Sequence, residues 1–386
     1  MNILSILIVI TSLLTDTART DLTLSGQFGQ GSHGIEGRQL GGFAVEARSV
    51  YDINEVSRVF GKASYSWQDC KQTRYVDNAD FRLTAPYLTV DTIGGDMRRE
   101  TYAFYGGYRM LKNHILWHAA LQFRAEQSYR MRDPRAKNKV TDLRLEASIG
   151  YMFSRYALSL QAYGGRYKQN NDIRFYSELG ETTIYHMAND TEPYARFSSN
   201  NKSSYYSGYR AGVGIELLPV TGWLAALHYD WMTFTKELTI NTQVPIAKLT
   251  THTLSAELGY AAVNWRVIAT AGLELKRGSQ YLYGDNANNY YELLLITPNY
   301  ARNSVTASLY GDYRLMLPIG SMLFVGSAGY DQFLQHFTEQ LRLRYAFPIK
   351  GKFNWFVAPQ VRFDQYDYQG IRPQAWQLIL ATGLTF

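Results

Sequence analysis

Cysteine is almost absent from this sequence, since Cys70 is the only one among 386 residues. A single thiol excludes an intramolecular disulfide, and no CxxC motif or cysteine–histidine spacing of a zinc site occurs. Cys70 stands in the polar stretch WQDCKQTR, where no neighbouring histidine could activate it. His114 and His118 would lie about 13 Å apart on a strand, too far to share an ion. We therefore predict no catalytic cysteine, no metal site and no cofactor.

Long apolar runs and blocks of one charge are also missing. Beyond the N-terminus no window approaches the 18 apolar residues that indicate a transmembrane helix, and the mean hydropathy is −0.27. The net charge is +6, but the basic residues are spread along the chain. This spread argues against a nucleic-acid partner and is compatible with anionic lipid or an anion-attracting cavity.

The N-terminus is the one apolar stretch. Residues Ile3 to Leu14 are apolar apart from three hydroxyl residues, which is too short for a membrane-spanning helix. The stretch suits the core of a signal peptide that ends near Ala18, although no Lys or Arg precedes it. We expect residues 1–18 to be a signal peptide and 19–386 to be one domain.

Tyrosine, by contrast, is abundant at 31 residues, and it collects where apolar and wet surroundings meet. Apolar and polar residues alternate in many stretches, for example in 143–153, 208–218, 222–231 and 265–275. Alternation of this kind is typical of a transmembrane antiparallel β-barrel, with apolar residues outside and polar residues inside. A soluble β-sandwich would also alternate.

The connections between these stretches favour the barrel. Short turns fall near 111–113, 154–155, 218–222, 263–264, 317–320 and 347–352. Long polar connections fall between them, near 69–97, 130–139, 169–202, 236–248, 280–299 and 366–373. Outer-membrane barrels have short periplasmic turns and longer external loops. Aromatic residues such as Trp117, Trp223, Trp265 and Trp355 flank the short turns, as an interfacial girdle would.

We therefore predict an all-β, transmembrane antiparallel barrel of sixteen strands, with fourteen as the alternative if the first two fail. The predicted strands are 20–30, 38–50, 57–68, 98–110, 114–129, 140–153, 156–168, 203–217, 222–235, 249–262, 265–279, 300–316, 321–333, 338–347, 353–365 and 373–386. An even number puts both termini in the periplasm.

Several stretches resemble an uncharacterised outer-membrane β-barrel family of Gram-negative bacteria. These are VFGKASYSW (59–67), 91–96, RETYAFYGGY (99–108), RMRDPRAKNKVTDL (130–143), FSRYALSLQAYGGRYKQ (153–169) and FYSELG (175–180). The resemblance implies an outer-membrane location and a gene near TonB-dependent uptake systems. It supplies no catalytic or ligand-binding residues. It also implies that Phe386, at the end of an alternating last strand, is part of the sorting signal read by the outer-membrane assembly machinery.

The alternation also predicts which charged residues face the lumen. These are Arg144, Glu146, Arg210, Glu216, Asp230, Arg266, Glu274, Asp312, Arg314, Arg342, Arg344, Arg362 and Asp364. Either they pair and rigidify a wet lumen, or they form an electrostatic path for a solute. Arg342 and Arg344 share one face, which indicates an anion-attracting wall unless Asp331 or Asp364 neutralises them.

The predicted external loops carry the candidate contacts. The basic loop 130–139 includes Arg132, Arg135 and Lys137, which we expect to bind lipopolysaccharide or an anionic partner. The loop 169–202 contains Tyr176, Tyr185 and Tyr194, and so many aromatic residues indicate either an inward plug or a docking surface.

The function expected from the sequence is non-enzymatic. The first hypothesis is a solute pathway or an accessory barrel of an outer-membrane uptake complex. The alternative is a sealed barrel that docks a TonB-dependent receptor or a surface lipoprotein. A membrane-embedded hydrolase or acyltransferase is the third, although no Ser–His–carboxylate signature is present.

Overall fold

The computed structural model describes residues 19–31, 37–176, 183–194, 203–239, 243–284, 292–332, 335–349, 353–365 and 374–386. The expected signal peptide, residues 177–180 of the FYSELG stretch and the loop 366–373 lie outside these ranges. No helix among the described residues is long and apolar enough to cross a membrane.

The described chain is almost entirely β-strand. Its elements are β1 (Arg19–Gly31), β2 (Gln39–Asp52), β3 (Ser57–Val76), α1 (Phe81–Thr84), β4 (Thr89–Lys112), β5 (Ile115–Arg130), β6 (Arg135–Phe153), β7 (Tyr156–Arg174), β8 (Tyr185–His186), β9 (Ser203–Pro219), β10 (Gly222–Thr239), β11 (Gln243–Ala261), β12 (Trp265–Tyr283), β13 (Leu293–Leu317), β14 (Gly320–Asp331), β15 (His336–Pro348), β16 (Asn354–Gln365) and β17 (Gln374–Thr385).

Sixteen of these strands form one closed antiparallel barrel. Each pairs with the next along the chain, β7 pairs with β9, and β17 returns to pair with β1. In the closing pair Leu22 lies opposite Leu384, and the backbones of Thr20 and Phe386 exchange hydrogen bonds of 2.7 and 2.9 Å. The chain therefore ends where the barrel seam ends.

The predicted fold class and sixteen strands are confirmed, including the first two, but several boundaries were wrong. The predicted loop 69–97 shrinks to 77–88, because β3 and β4 extend well beyond their predicted ends. The predicted loop 130–139 is strand except at 131–134, so the basic stretch lies mainly on β6. One two-residue strand, β8, was not predicted.

The two faces of the wall differ as the alternation requires. Large apolar side chains point outward and are exposed, including Leu145, Leu160 and Leu258 at 57–58%. The four tryptophans beside the short turns are also exposed, at 42–59%. A closed sheet has no free edge within the wall, so an apolar exterior of this kind suits a hydrocarbon surrounding.

The largest buried apolar cluster lies inside the barrel rather than between two layers. It joins residues of the wall to residues that enter the lumen between β3 and β4 and between β7 and β9. Its buried members are Ala79, Tyr87, Val140, Tyr167, Ala188, Tyr194, Tyr206, Phe234, Leu238, Ile246, Ala247, Leu249 and Tyr300.

Candidate functional site

The connection between β3 and β4, residues 77–88, crosses the lumen; we call it the crossing segment. It contains the single-turn helix α1. Pairing between Val76 and Val90 closes the hairpin below it, so the segment enters the lumen from a fixed base. Tyr87 and Thr84 have no exposed surface, as expected for residues inside the barrel rather than in an external loop.

Polar contacts hold the crossing segment to opposite walls. Near its start, Arg124 of β5 donates to Asp80 over 3.0 Å, and the Tyr167 hydroxyl of β7 donates to the same carboxylate over 3.0 Å. Farther along, Arg82 lies 3.0 Å from a ring nitrogen of His336 on β15. The Arg82 carbonyl accepts from Lys276 of β12 over 2.9 Å. Because β5 and β12 stand across the barrel from each other, the segment spans the lumen.

Buried donors satisfy the last carbonyls of the segment. The Lys236 ammonium has no exposed surface and donates to the Leu88 carbonyl over 2.8 Å. Tyr206 donates to the Tyr87 carbonyl over 2.8 Å, and Tyr87 itself donates to Asn299 over 2.6 Å. A buried carbonyl without a partner costs about 1–3 kcal/mol, so these side chains fix the backbone path.

Burial and neighbouring arginines shift the pKa values of two carboxylates near the start of the segment. Burial raises the pKa of Asp77 well above its ordinary value, although Arg130 lies 2.8 Å away and opposes the shift. Burial also acts on Asp80, but the Arg124 guanidinium outweighs it and holds the pKa of Asp80 below its ordinary value. Asp80 is therefore a charged anchor for the segment.

A second stretch, residues 183–194, packs over the crossing segment. Its strand β8 pairs with Thr89 and Val90 of β4. Tyr194 is 8% exposed and donates to the Ile246 carbonyl over 2.7 Å. Tyr194 is therefore not the external contact that we expected, because its ring belongs to the buried cluster. Tyr185 lies on β8, opposite Val90 of β4.

The other external candidates face outward. Arg132 and Lys137 are exposed, and Tyr176 is 60% exposed. Arg135 lies 2.9 Å from Asp133 and 4.3 Å from the centre of the Tyr176 ring. These side chains stand at the external end of β6, above the apolar part of the wall.

The predicted lumen charges all lie on inward-facing positions, and most pair along the wall. Arg266 and Asp312 are 2.8 Å apart on neighbouring strands, and Arg210 lies 3.1 Å from Asp142. The remaining contacts are Arg144 with Glu146 (3.7 Å) and over Tyr163, Glu146 with Tyr105 (2.7 Å), Asp230 with Tyr163, Glu216 with His228 (3.6 Å), Glu274 with Lys276 (3.4 Å), Arg344 with Asp21 (3.6 Å) and Arg362 with Asp364 (2.7 Å).

Arg342 and Arg314 differ from the rest. Within the described residues neither makes a salt bridge or a side-chain hydrogen bond, and Arg314 is exposed near a short turn. Asp364 pairs with Arg362 and His336 instead of Arg342. Arg342 therefore presents an uncompensated positive charge to the lumen.

The accessible part of the lumen is off-centre. The inward faces of β5 to β13 are largely buried, whereas those of β1 to β3 and β14 to β17 are mostly partly exposed. Lys62 and Glu46 pair at 2.8 Å there with 46% and 37% of their side chains exposed. We call this arc the open arc. Its partly exposed uncharged polar residues include Thr23, Ser25, Gln27, Ser64, Ser66, Gln68, Ser327, Thr338, Gln340, Gln360 and Gln377.

Sequence reasoning missed the residues that hold the crossing segment. Asp77, Asp80 and Lys236 fell in predicted loops, so no alternation placed them in the lumen. The signal that could have found them is the density of aspartates in a supposed external loop that also contains LTAPYL (83–88). In the part of the chain that the structure describes, no group of three or more His, Cys, Asp or Glu is arranged to hold a metal ion.

One protein family matches this chain over most of its length. The family described as "Family of unknown function (DUF6850)" covers residues 9–338. No curated protein matches the chain.

Solved structures similar to this chain are barrels with little sequence identity. A bacterial polysaccharide outer membrane secretin is 10% identical, with 94% of this chain and 97% of that chain covered at a TM-score of 0.40. The Ralstonia pickettii toluene transporter TbuX is 10% identical, with 95% and 88% covered at a TM-score of 0.42. The CymD monoaromatic hydrocarbon channel is 10% identical, with 97% and 90% covered at a TM-score of 0.40. At these TM-scores nothing about function is transferred from them.

Proposed function

We propose that this chain, which belongs to the family of unknown function DUF6850, is an outer-membrane β-barrel that conducts small hydrophilic solutes along its open arc. The observation that carries the proposal is the contrast between the two sides of the lumen. One side is filled by the crossing segment, and the other keeps polar, partly exposed side chains through its middle, for example from Thr23 to Gln27 on β1 and from Ser64 to Gln68 on β3.

An outer-membrane location is supported by the exterior of the wall. Exposed apolar side chains form a belt, and exposed tryptophans lie beside the short turns. Lys137 and Lys139 are exposed on the outward face of β6, external to that belt. In a bacterial outer membrane they would face the phosphate groups of lipopolysaccharide.

The charges of the open arc favour anions. Glu46, Asp21 and Asp364 each pair with a cationic side chain, whereas Arg342 has no carboxylate partner among the described residues. A fixed positive charge in a water-filled passage lowers the energy of a passing anion and raises that of a cation. The solute class that fits is therefore small, hydrophilic and neutral or anionic, and no covalent chemistry is required.

Reversal potentials of the refolded barrel in a planar bilayer test this function. In a salt gradient we expect anion preference. Arg342→Glu should reduce the anion-to-cation permeability ratio about two- to fivefold, because reversing one charge about 8 Å from an ion in water changes its energy by about 1 kcal/mol before screening. Lys137→Glu is the matched control, since it reverses an exposed charge outside the lumen. Equal effects of the two variants would contradict the proposed path.

A sealed barrel is the second candidate, and the anchoring of the crossing segment to both walls favours it. A sealed barrel predicts no conductance from folded protein, whether or not Arg342 is replaced. The same bilayer recording therefore separates the two functions.

A further inference from the structure

Two arginines are buried among the described residues, and only one of them has a carboxylate partner. Arg130 is 3% exposed and lies 2.8 Å from Asp77, and it also pairs with Asp91. Arg109, on the inward face of β4, is 6% exposed. Within the part of the chain that the structure describes, Arg109 makes no salt bridge, and its Nη1 atom is buried without a hydrogen-bond acceptor. Arg109 is therefore a buried cation without a counter-charge, which is a costly arrangement for a protein.

The neighbouring strands do not supply the missing negative charge. Arg58 of β3 lies opposite Arg109 on one side, and His118 of β5 lies opposite it on the other. Carboxylates on nearby strands bind other groups, since Asp52 pairs with Arg58 and Glu146 lies 3.3 Å from His118. Like charges that face each other across a strand pair are destabilising. Asp52 compensates Arg58, so the charge of Arg109 is left over.

Arg109 has an apolar layer on one side and a partly exposed polar pair on the other. Val50 and Phe60 are 3% and 8% exposed, and they form a buried cluster in the row of the wall next to Arg58 and Arg109. The side chains of Arg58 and Asp52 are 24% and 41% exposed. β4 also stands between the open arc and the strands β5 to β13, whose inward faces are largely buried. Arg109 therefore lies at the edge of the open arc, at the end of the lumen where the short turns lie.

We propose that Arg109 and Arg58 form a binding site for an oxyanion, the carboxylate or phosphate group of a small solute, at the short-turn end of the lumen. A guanidinium presents its N–H groups as a planar fork that fits two oxygens of a carboxylate or a phosphate. An oxyanion at this position supplies an acceptor for the buried Nη1 atom and compensates the charge of Arg109. The adjacent apolar layer strengthens the attraction, because charges interact more strongly where water is excluded.

The oxyanion site is distinct from the charge of Arg342 in the open arc. Arg342 is partly exposed, so water solvates it and a passing anion meets it only transiently. Arg109 is buried, so a bound anion replaces hydrogen bonds that neither water nor the described residues supply. Binding at equilibrium does not require conduction, and the inference is therefore independent of the proposed solute path.

Equilibrium dialysis of phosphate and of acetate against the refolded full-length barrel tests the site. We expect saturable binding of at least one of the two anions, and at least tenfold weaker binding to Arg109→Gln. Arg314→Gln is the matched control and should bind within twofold of wild type, because Arg314 is an exposed arginine at the same end of the lumen. Binding of phosphate alone assigns the site to phosphorylated solutes, and binding of acetate alone assigns it to carboxylates. No saturable binding of either anion, or equal loss in both variants, would overturn the proposal.

Stability in urea gives a second measurement, which a purely structural arginine would not reproduce. In chloride buffer without an oxyanion, Arg109→Gln should unfold at a urea concentration no lower than wild type, because it removes an uncompensated buried charge. Phosphate should then raise the midpoint of wild type more than that of Arg109→Gln, since only wild type gains binding energy. The response of the variant corrects for the general stabilisation of folded proteins by phosphate. A variant that is less stable than wild type in chloride and responds equally to phosphate would contradict the oxyanion site.

Discussion

At the scale of single residues, buried lysines that bind backbone carbonyls hold the crossing segment, in addition to the charge pairs of the lumen. Lys236 donates to the Leu88 carbonyl and Lys276 to the Arg82 carbonyl, and both lysines are almost completely buried. The sequence pattern could place Lys276 on the inward face of a strand. It could not place Lys236, which fell in a predicted loop, and it could not indicate that either partner is a carbonyl of the crossing segment.

Lys236→Met should loosen the crossing segment without unfolding the barrel. The variant leaves the Leu88 carbonyl without its donor, at a local cost of about 1–3 kcal/mol. Amide hydrogen exchange in residues 77–88 should therefore accelerate between about fivefold and a hundredfold. Lys248→Met, at an exposed position of β11, is the control and should leave exchange in the segment unchanged. Unaltered exchange in Lys236→Met would remove this lysine from the anchoring set.

Asp80 gives the anchoring a pH dependence. Its pKa is depressed, so its contribution is complete above the ordinary value of 3.8 and is lost as pH falls through the lower folded value. At pH 7 Asp80→Asn should accelerate exchange in the segment relative to wild type, and the difference should shrink below about pH 3.8. A difference that persists at pH 2 would show that the Arg124 contact does not depend on the carboxylate charge.

At the scale of elements, strands were predictable and the inward segments were not. Alternation identifies strands because successive residues of the wall face the apolar exterior and the wet lumen in turn. It fails where β3 and β4 continue past the membrane, since Arg74, Asp91 and Asp96 are then on strands that meet no lipid. It also fails for the crossing segment, whose position depends on partners distributed over at least seven other strands.

Replacing residues 79–86 by a short glycine linker tests the crossing segment as an element. The pairing of β3 with β4 ends at Val76 and Val90, outside the replaced residues, so the wall should still close. Single-channel conductance should rise at least twofold, because the buried side of the lumen becomes accessible to ions. The sheet content by circular dichroism serves as the control for folding. Unchanged conductance of a folded variant would mean that the segment does not limit the passage.

At the scale of the whole molecule, closure and asymmetry are the two features that matter. The alternating last strand predicted closure. The register of β17 with β1 brings Phe386 to the end of the seam, where its side chain packs against Phe353 with ring centres 5.8 Å apart. The asymmetry could not be predicted. Inward-facing residues of β5 to β13 and of the open arc alternate alike. The burial of one side depends on the crossing segment, on residues 183–194 and on contacts among side chains of the wall itself.

The most direct measurement is thiol block of single-channel current at two inward positions, in a Cys70→Ser background. Ser66 is partly exposed in the open arc, and Ser255 is 3% exposed on the opposite side of the lumen. A charged thiol reagent should reduce the current through Ser66→Cys and leave that through Ser255→Cys unchanged. Block at Ser255→Cys alone, or no current from either folded barrel, would contradict a solute path along the open arc.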